Sequence, residues 1–188
     1  MKTVETKLFS YAELSESAQE RVRQQIAEFI SSDSDNPTLD ECLDSLRSIV
    51  SAMGLSLADW SVGPYSRSNH AGVNIPWDRE TQLDGGARTL ASFLLVLPDH
   101  GYTRPAHFAE MKFPGICGFT GVCFDNDIAE SIWESLLAGE SFNTAIDGAA
   151  DRIAKICESD LDYRMSDGSI LEYPDQDEEI YTEEGETF

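Results

Sequence analysis

Four cysteines, three histidines and a dense run of carboxylates are the residues of this chain whose types could do chemistry. The cysteines stand at 42, 117, 123 and 157 and form no C-x-x-C pair. His70, His100 and His107 lie beside none of them and lack the i, i+4 spacing of a helical metal pair, so no structural zinc site is expected. A cysteine nucleophile would have to join Cys117 or Cys123 to His100 or His107, and no base stands near either thiol in sequence. Cys42 and Cys157 fall at apolar positions of expected helices and read as small buried hydrophobes. Asp125-Asn126-Asp127 lacks the glycine and distal glutamate of a calcium loop and reads as a helix cap. Gly115, Gly118 and Gly121 recur every third residue, but no Lys-Ser/Thr or helix follows directly as a phosphate loop requires; packing against a helix accounts for them. The expectation is a protein that is not an enzyme and uses no metal or cofactor.

The carboxylates are different. The formal net charge is -22, with twenty-one acids and five bases in residues 95–188 against fourteen and eight in residues 1–94. Beyond Cys157 there are twelve Asp or Glu residues and one cation, Arg164. Leu161, Tyr163, Met165, Ile170, Leu171, Tyr173, Ile180, Tyr181 and Phe188 interleave with them, so the segment is able to fold while showing carboxylates to solvent. Such a field repels nucleic acid and membrane surfaces and attracts basic protein surfaces. Carboxylates in rows suit the Lys/Arg groove of a nucleic-acid-binding protein, with fast, salt-sensitive association. The candidate partner-binding residues are Asp160, Asp162, Asp167, Glu172, Asp175, Asp177, Glu178, Glu179, Glu183, Glu184 and Glu186, with Tyr163, Tyr173 and Tyr181 as aromatic anchors. The plainer alternative is a solvated face that serves solubility.

These residues need elements to hold them. Length and composition suit a single α+β domain over residues 1–188, with an acidic subregion at 158–188. Ala18, Val22, Ile26, Phe29 and Ile30 form a helical stripe behind a cap at Ser15 or Ser17; Ser17 and Glu20 have capping-box spacing. A polar loop at 31–37 leads to a second helix carrying Leu39, Cys42, Leu43, Leu46, Ile49, Val50 and Met53, with a Thr38/Glu41 capping box and Gly54 at its end. The two are expected to form an N-terminal helical hairpin. Leu55, Leu57, Trp60 and Val62, then Val73, Ile75 and Trp77, predict a small antiparallel sheet. Residues 89–97 predict a helix, residues 102–113 a loop, and residues 115–124 either a central strand or a tightly packed loop. Two further helices follow. One is capped by Asp125, turns Ile128, Ile132, Trp133, Leu136 and Leu137 inward and ends at Gly139; the other starts at Ser141 or Asn143 and carries Ala145, Ile146, Ala149, Ile153, Ile156, Cys157 and Leu161. Glu183-Glu184-Gly185 predicts the turn of an acidic C-terminal hairpin. No signal peptide or apolar run of membrane-spanning length is read, which implies a cytoplasmic protein with reduced thiols.

Three segments together resemble a family of small phage and mobile-element proteins. FSYAELSESAQERV at 9–22 resembles its opening F-x-x-L-S-E-x-A-x-E-x-A, and GFTGVCFDNDI at 118–128 resembles its F-T-G-Y-C-x-D-x-D. DLDYRMSDGSI and EIYTEEGETF resemble its closing D-Y-x-x-x-x-S-D and Y-x-F-T-E-D-G-x-x-F, while residues 56–114 lie outside the resemblance. The resemblance implies a phage or prophage setting, where small acidic proteins disarm host defence. The expected function is that of an anti-CRISPR-like inhibitor, a DNA mimic that binds the basic surface of a host effector complex without binding nucleic acid itself. The alternatives are an antitoxin-like cap for a basic toxin and, third, an enzyme of unknown reaction.

Overall fold

A computed structural model describes residues 7–32, 36–102, 117–166, 168–170 and 181–186. It has the α+β character expected, several helices and one two-stranded antiparallel sheet. Contacts gather in two compact units, Asn36–Glu158 and a smaller one made of Met1–Asp35 with Ser159–Phe188.

The larger unit begins with α1, Pro37–Ala52. Its cap is Asn36, whose Oδ1 accepts the Leu39 N–H at 3.1 Å, with Pro37 in the first turn where no N–H is needed. The expected Thr38/Glu41 box is not used; Thr38 is buried instead. Cys42, Leu43, Leu46, Ile49 and Val50 are all 0% exposed, so the apolar stripe is core. Gly54 closes the helix at φ 69°, a left-handed position that favours glycine.

Strands β1 (Ser56–Ser61) and β2 (His70–Asn74) pair antiparallel, with Leu57 opposite Val73, Trp60 opposite Ala71 and an irregularity between. The second strand starts earlier and stops sooner than the alternation suggested. Pro76 cannot donate to a ladder, and Trp77 is left 85% exposed. A two-stranded hairpin is marginal alone; here β1 packs on α1.

After β2 comes α2 (Glu80–Leu83), too short for a periodic signal, and then α3 (Gly86–Val96), the helix predicted at 89–97. Leu90, Phe93, Leu94 and Leu97 are buried as that period required. A 3-10 turn, Leu97–His100, follows. Residues 103–116 are outside the described set, so Gly115 and most of the 102–113 loop are too; residues 117–124 are loop, not strand. Helix α4 spans Asp125–Leu137 and buries Ile128, Ile132, Trp133 and Leu136; Leu137, expected inward, is 45% exposed. Helix α5, Phe142–Arg164, is capped by Ser141, whose Oγ accepts the Thr144 N–H at 3.2 Å. Ala145, Ile146, Ala149, Ile153 and Cys157 complete the core at 0% exposure. Truncating one large side chain in a core of this kind costs about 2–5 kcal/mol.

In the smaller unit a 3-10 turn, Tyr11–Glu13, precedes helix αN, Glu16–Ser32. Glu13 Oε2 accepts the Ser10 N–H at 2.9 Å and its hydroxyl at 3.0 Å. Ser15, not Ser17, caps αN by accepting the Ala18 N–H at 3.3 Å. Ala18, Val22 and Ile30 are buried, Ile26 is half-buried, and Phe29 is 62% exposed against expectation. Phe9 and Tyr181 exchange backbone hydrogen bonds at 2.9 and 2.8 Å, joining the two ends of the chain. Tyr11, Leu14, Ala18, Val22 and Tyr181 form the core of this unit. Thus αN and α1, expected as one helical hairpin, belong to different units.

Candidate functional site

Of the eleven acids read from the sequence as partner-binding, five lie in the described residues: Asp160, Asp162, Glu183, Glu184 and Glu186. Asp167, Glu172, Asp175, Asp177, Glu178 and Glu179 lie outside them, as does Tyr173. Asp160 and Asp162 sit on the last turns of α5, with Asp160 Oδ2 3.9 Å from Arg164 Nη1 and Asp162 exposed. Glu183 and Glu184 occupy the expected turn. Gly185 N–H donates to the Thr182 carbonyl at 2.9 Å, and Thr182 N–H to the Glu186 carbonyl at 2.9 Å. Glu183, Glu184 and Glu186 are exposed. The turn is fixed because Tyr181 is 0% exposed in the core of the smaller unit. Tyr181 therefore holds the acidic turn and is no anchor for a partner, whereas Tyr163 is 68% exposed. Among the described residues an isolated antiparallel bridge joins Tyr181 to Phe9, while Thr182 bonds Glu186 across the turn.

The larger unit holds carboxylates that the sequence reading did not count as partner-binding. Asp127, Glu130 and Glu134 of α4 and Asp151 of α5 line a cleft of about 370 Å³ with Arg152 and Lys155. Arg152 pairs with Asp127. Glu130 and Glu134 have no ion-pair partner among the described residues. The i, i+3, i+7 spacing of residues 127, 130 and 134 was the signal that could have found this face.

Other acids of α5 do structural work. Asp147 Oδ1 lies 2.6 Å from His70 Nδ1 and accepts the Ala71 N–H at 3.1 Å. Asp151 accepts from Asn69 at 3.2 Å, and Glu158 accepts the Tyr65 N–H at 2.8 Å. Tyr65 has φ 58°, an uncommon value for a non-glycine residue. These three acids, all on α5, staple the start of β2 and the β1–β2 connection to that helix. Asp59 Oδ2 stands 3.7 Å from the other ring nitrogen of His70. The histidine is thus an organiser between two carboxylates.

Asp125 does not cap its own helix. Its Oδ2 accepts the N–H groups of Phe119 and Thr120 at 2.8 Å each, and its Oδ1 accepts the Thr120 hydroxyl at 2.8 Å. Burial raises the carboxyl pKa, but hydrogen bonds from Thr120, Ser45 and Phe119 outweigh it and hold it below the ordinary value. The ring of His100 stacks on Phe119 at 4.3 Å, and its Nδ1 lies 3.2 Å from the Gly118 carbonyl oxygen. A Cβ at Gly118 would lie 2.0 Å from the His100 carbonyl oxygen, so this glycine permits close approach to a backbone turn rather than to a helix. Burial pushes the Tyr102 hydroxyl up to about 12. His100 is held by packing; His107 lies outside the described residues.

All four cysteines are free thiols. Cys42 and Cys157 are buried as expected, and the hydrogen bond of the Cys42 thiol to Cys157, then burial, raises the Cys42 pKa. Raised, buried thiols are inert. Among the described residues no group of three or more His, Cys, Asp or Glu is arranged to hold a metal ion. No helix among the described residues is long and apolar enough to cross a membrane.

Comparison with protein-family models, with curated proteins and with solved structures finds no match to the chain.

Proposed function

We propose that this protein is a phage-type, anti-CRISPR-like inhibitor that occupies the basic, nucleic-acid-binding surface of a host defence complex by acidic DNA mimicry. A CRISPR effector is the first target class and a restriction enzyme the second. The observation that carries the reading is that exposed carboxylates stand on folded elements: Asp162 on α5, and Glu183, Glu184 and Glu186 on a turn anchored by Tyr181. Carboxylates held in place lose less freedom on binding than those of a flexible tail. With -22 formal charges the chain also steers basic partners toward it and keeps nucleic acid away. The proposal requires no catalysis by this chain.

The test reverses four exposed acids together, Asp162→Lys, Glu183→Lys, Glu184→Lys and Glu186→Lys, and measures inhibition of DNA binding by a CRISPR effector complex. Lost inhibition with an unchanged circular dichroism spectrum supports the reading; full inhibition by the folded variant refutes the acidic-face account. Tight capture of one small basic toxin, with no effect on a defence complex, replaces it with the antitoxin reading.

A further inference from the structure

We infer that His70 is a pH-sensitive clasp: its charged ring ties the β1–β2 hairpin to α5, and its neutral ring loosens that tie. His70 opens β2 and reaches α5 through Asp147, whose Oδ1 lies 2.6 Å from Nδ1. A carboxylate only accepts, so Nδ1 carries a proton in this contact. The second ring nitrogen, Nε2, faces Asp59 of β1, with Oδ2 at 3.7 Å. In the neutral ring that nitrogen is a bare lone pair turned toward a carboxylate. In the charged ring it bears an N–H, and one cation stands between two anions.

The surroundings leave this charge to the histidine. A Cβ at Gly72 would lie 2.5 Å from Asp59 Oδ1 and 3.5 Å from His70 Nε2, so the missing side chain makes room for the carboxylate beside the ring. Asp59 from β1 and Asp147 from α5 are the charges within ion-pair reach of the ring, and no Lys or Arg among the described residues pairs with either. Arg67, in the connection between the strands, is exposed and pairs with neither. Further along α5, Asp151 accepts from the Asn69 amide and Glu158 from the Tyr65 N–H. Those links join carboxylates to groups that do not titrate near neutral pH. The histidine link does, because imidazole changes charge between about pH 5 and 8. The tie is therefore present while the ring is charged and weakens as pH rises through that range. The Ala71 N–H reports on it directly, since the same Asp147 Oδ1 accepts it at 3.1 Å. The ring and both carboxylates are about half-exposed or more, so solvent screening keeps the effect modest. This inference does not rest on DNA mimicry, which uses other residues.

The experiment measures amide hydrogen exchange of the full chain at about pH 5.5 and about pH 8, on either side of the histidine range, with each rate divided by the intrinsic rate at that pH. Expected is protection of the Ala71 amide about two- to fivefold greater at the lower pH, the scale of a screened ion pair, with no such ratio at the core amide of Phe93. His70→Gln removes the titration but keeps an N–H for Asp147, and there the two pH values give equal protection at Ala71. Asp59→Asn removes one of the two anions, and the ratio shrinks. Equal protection at both pH values in the wild type, greater protection at the higher pH, the same ratio at Phe93, or an unchanged ratio in either variant overturns the inference.

Discussion

Gly185 stands against Ala18 so closely that a Cβ on the glycine would lie 2.8 Å from the Ala18 carbonyl oxygen. The glycine also has φ 84°, in the left-handed region. This one approach sets the acidic turn of Glu183 and Glu184 on αN. Gly185→Ala therefore meets both a clash and an unfavourable backbone. Single left-handed positions cost L residues about 1–2 kcal/mol, and displacing the turn adds to that. The expected result is lower thermal stability and faster hydrogen exchange at the Tyr181 amide, with the core of the larger unit unaffected. Unchanged exchange at Tyr181 would show that the contact does not hold the turn.

Asp125 gathers the loop at 119–121 through its carboxylate. Asp125→Ala leaves the Phe119 and Thr120 amides without their acceptor, each at a cost of about 1–3 kcal/mol. Denaturant unfolding should register a loss of about 3 kcal/mol.

The same carboxyl has a folded-state pKa below its ordinary value. Its contribution is fully present above the unfolded value of roughly 3.9 and is lost as pH falls through the folded value. Wild-type stability should decline below about pH 4 more steeply than that of Asp125→Asn, which lacks the titrating group. Parallel declines would contradict the hydrogen-bond account.

Tyr102 is 2% exposed, and burial raises its hydroxyl to about 12. A phenol whose folded pKa is raised stabilises the fold below the unfolded value of roughly 10 and loses that stabilisation as pH rises through the folded one. Ultraviolet titration should show a late-ionising component that is lost in Tyr102→Phe. A late component unchanged in Tyr102→Phe, or none in the wild type, would contradict the burial account.

Elements with a strong local signal were legible in the sequence. Helix α1 announced itself through a repeating stripe and Gly54, and α3 through Leu90, Phe93, Leu94 and Leu97. What escaped depends on partners distant along the chain. Glu158 accepts from Tyr65 across 93 residues, and Asp147 meets His70 across 77. No local pattern distinguishes such carboxylates from solvated ones. Tyr181 lies between two acidic runs and so resembled an exposed anchor; in the fold it pairs with Phe9 and is buried. Asp125 stood where a cap belongs, and only the folded loop reveals that it serves residues before it. The acidic turn at 183–185 was read correctly because glycine after two polar residues is a local signal.

The central claim is that this acidic surface takes the place of DNA on a basic protein. The most direct measurement is fluorescence anisotropy of labelled DNA on a CRISPR effector, with the chain added at about 50 and about 200 mM salt, a range over which phosphate-like contacts lose much of their strength. The account predicts that the protein displaces DNA at the lower salt and loses potency at the higher salt. DNA binding that stays unchanged at low salt under excess protein would contradict it.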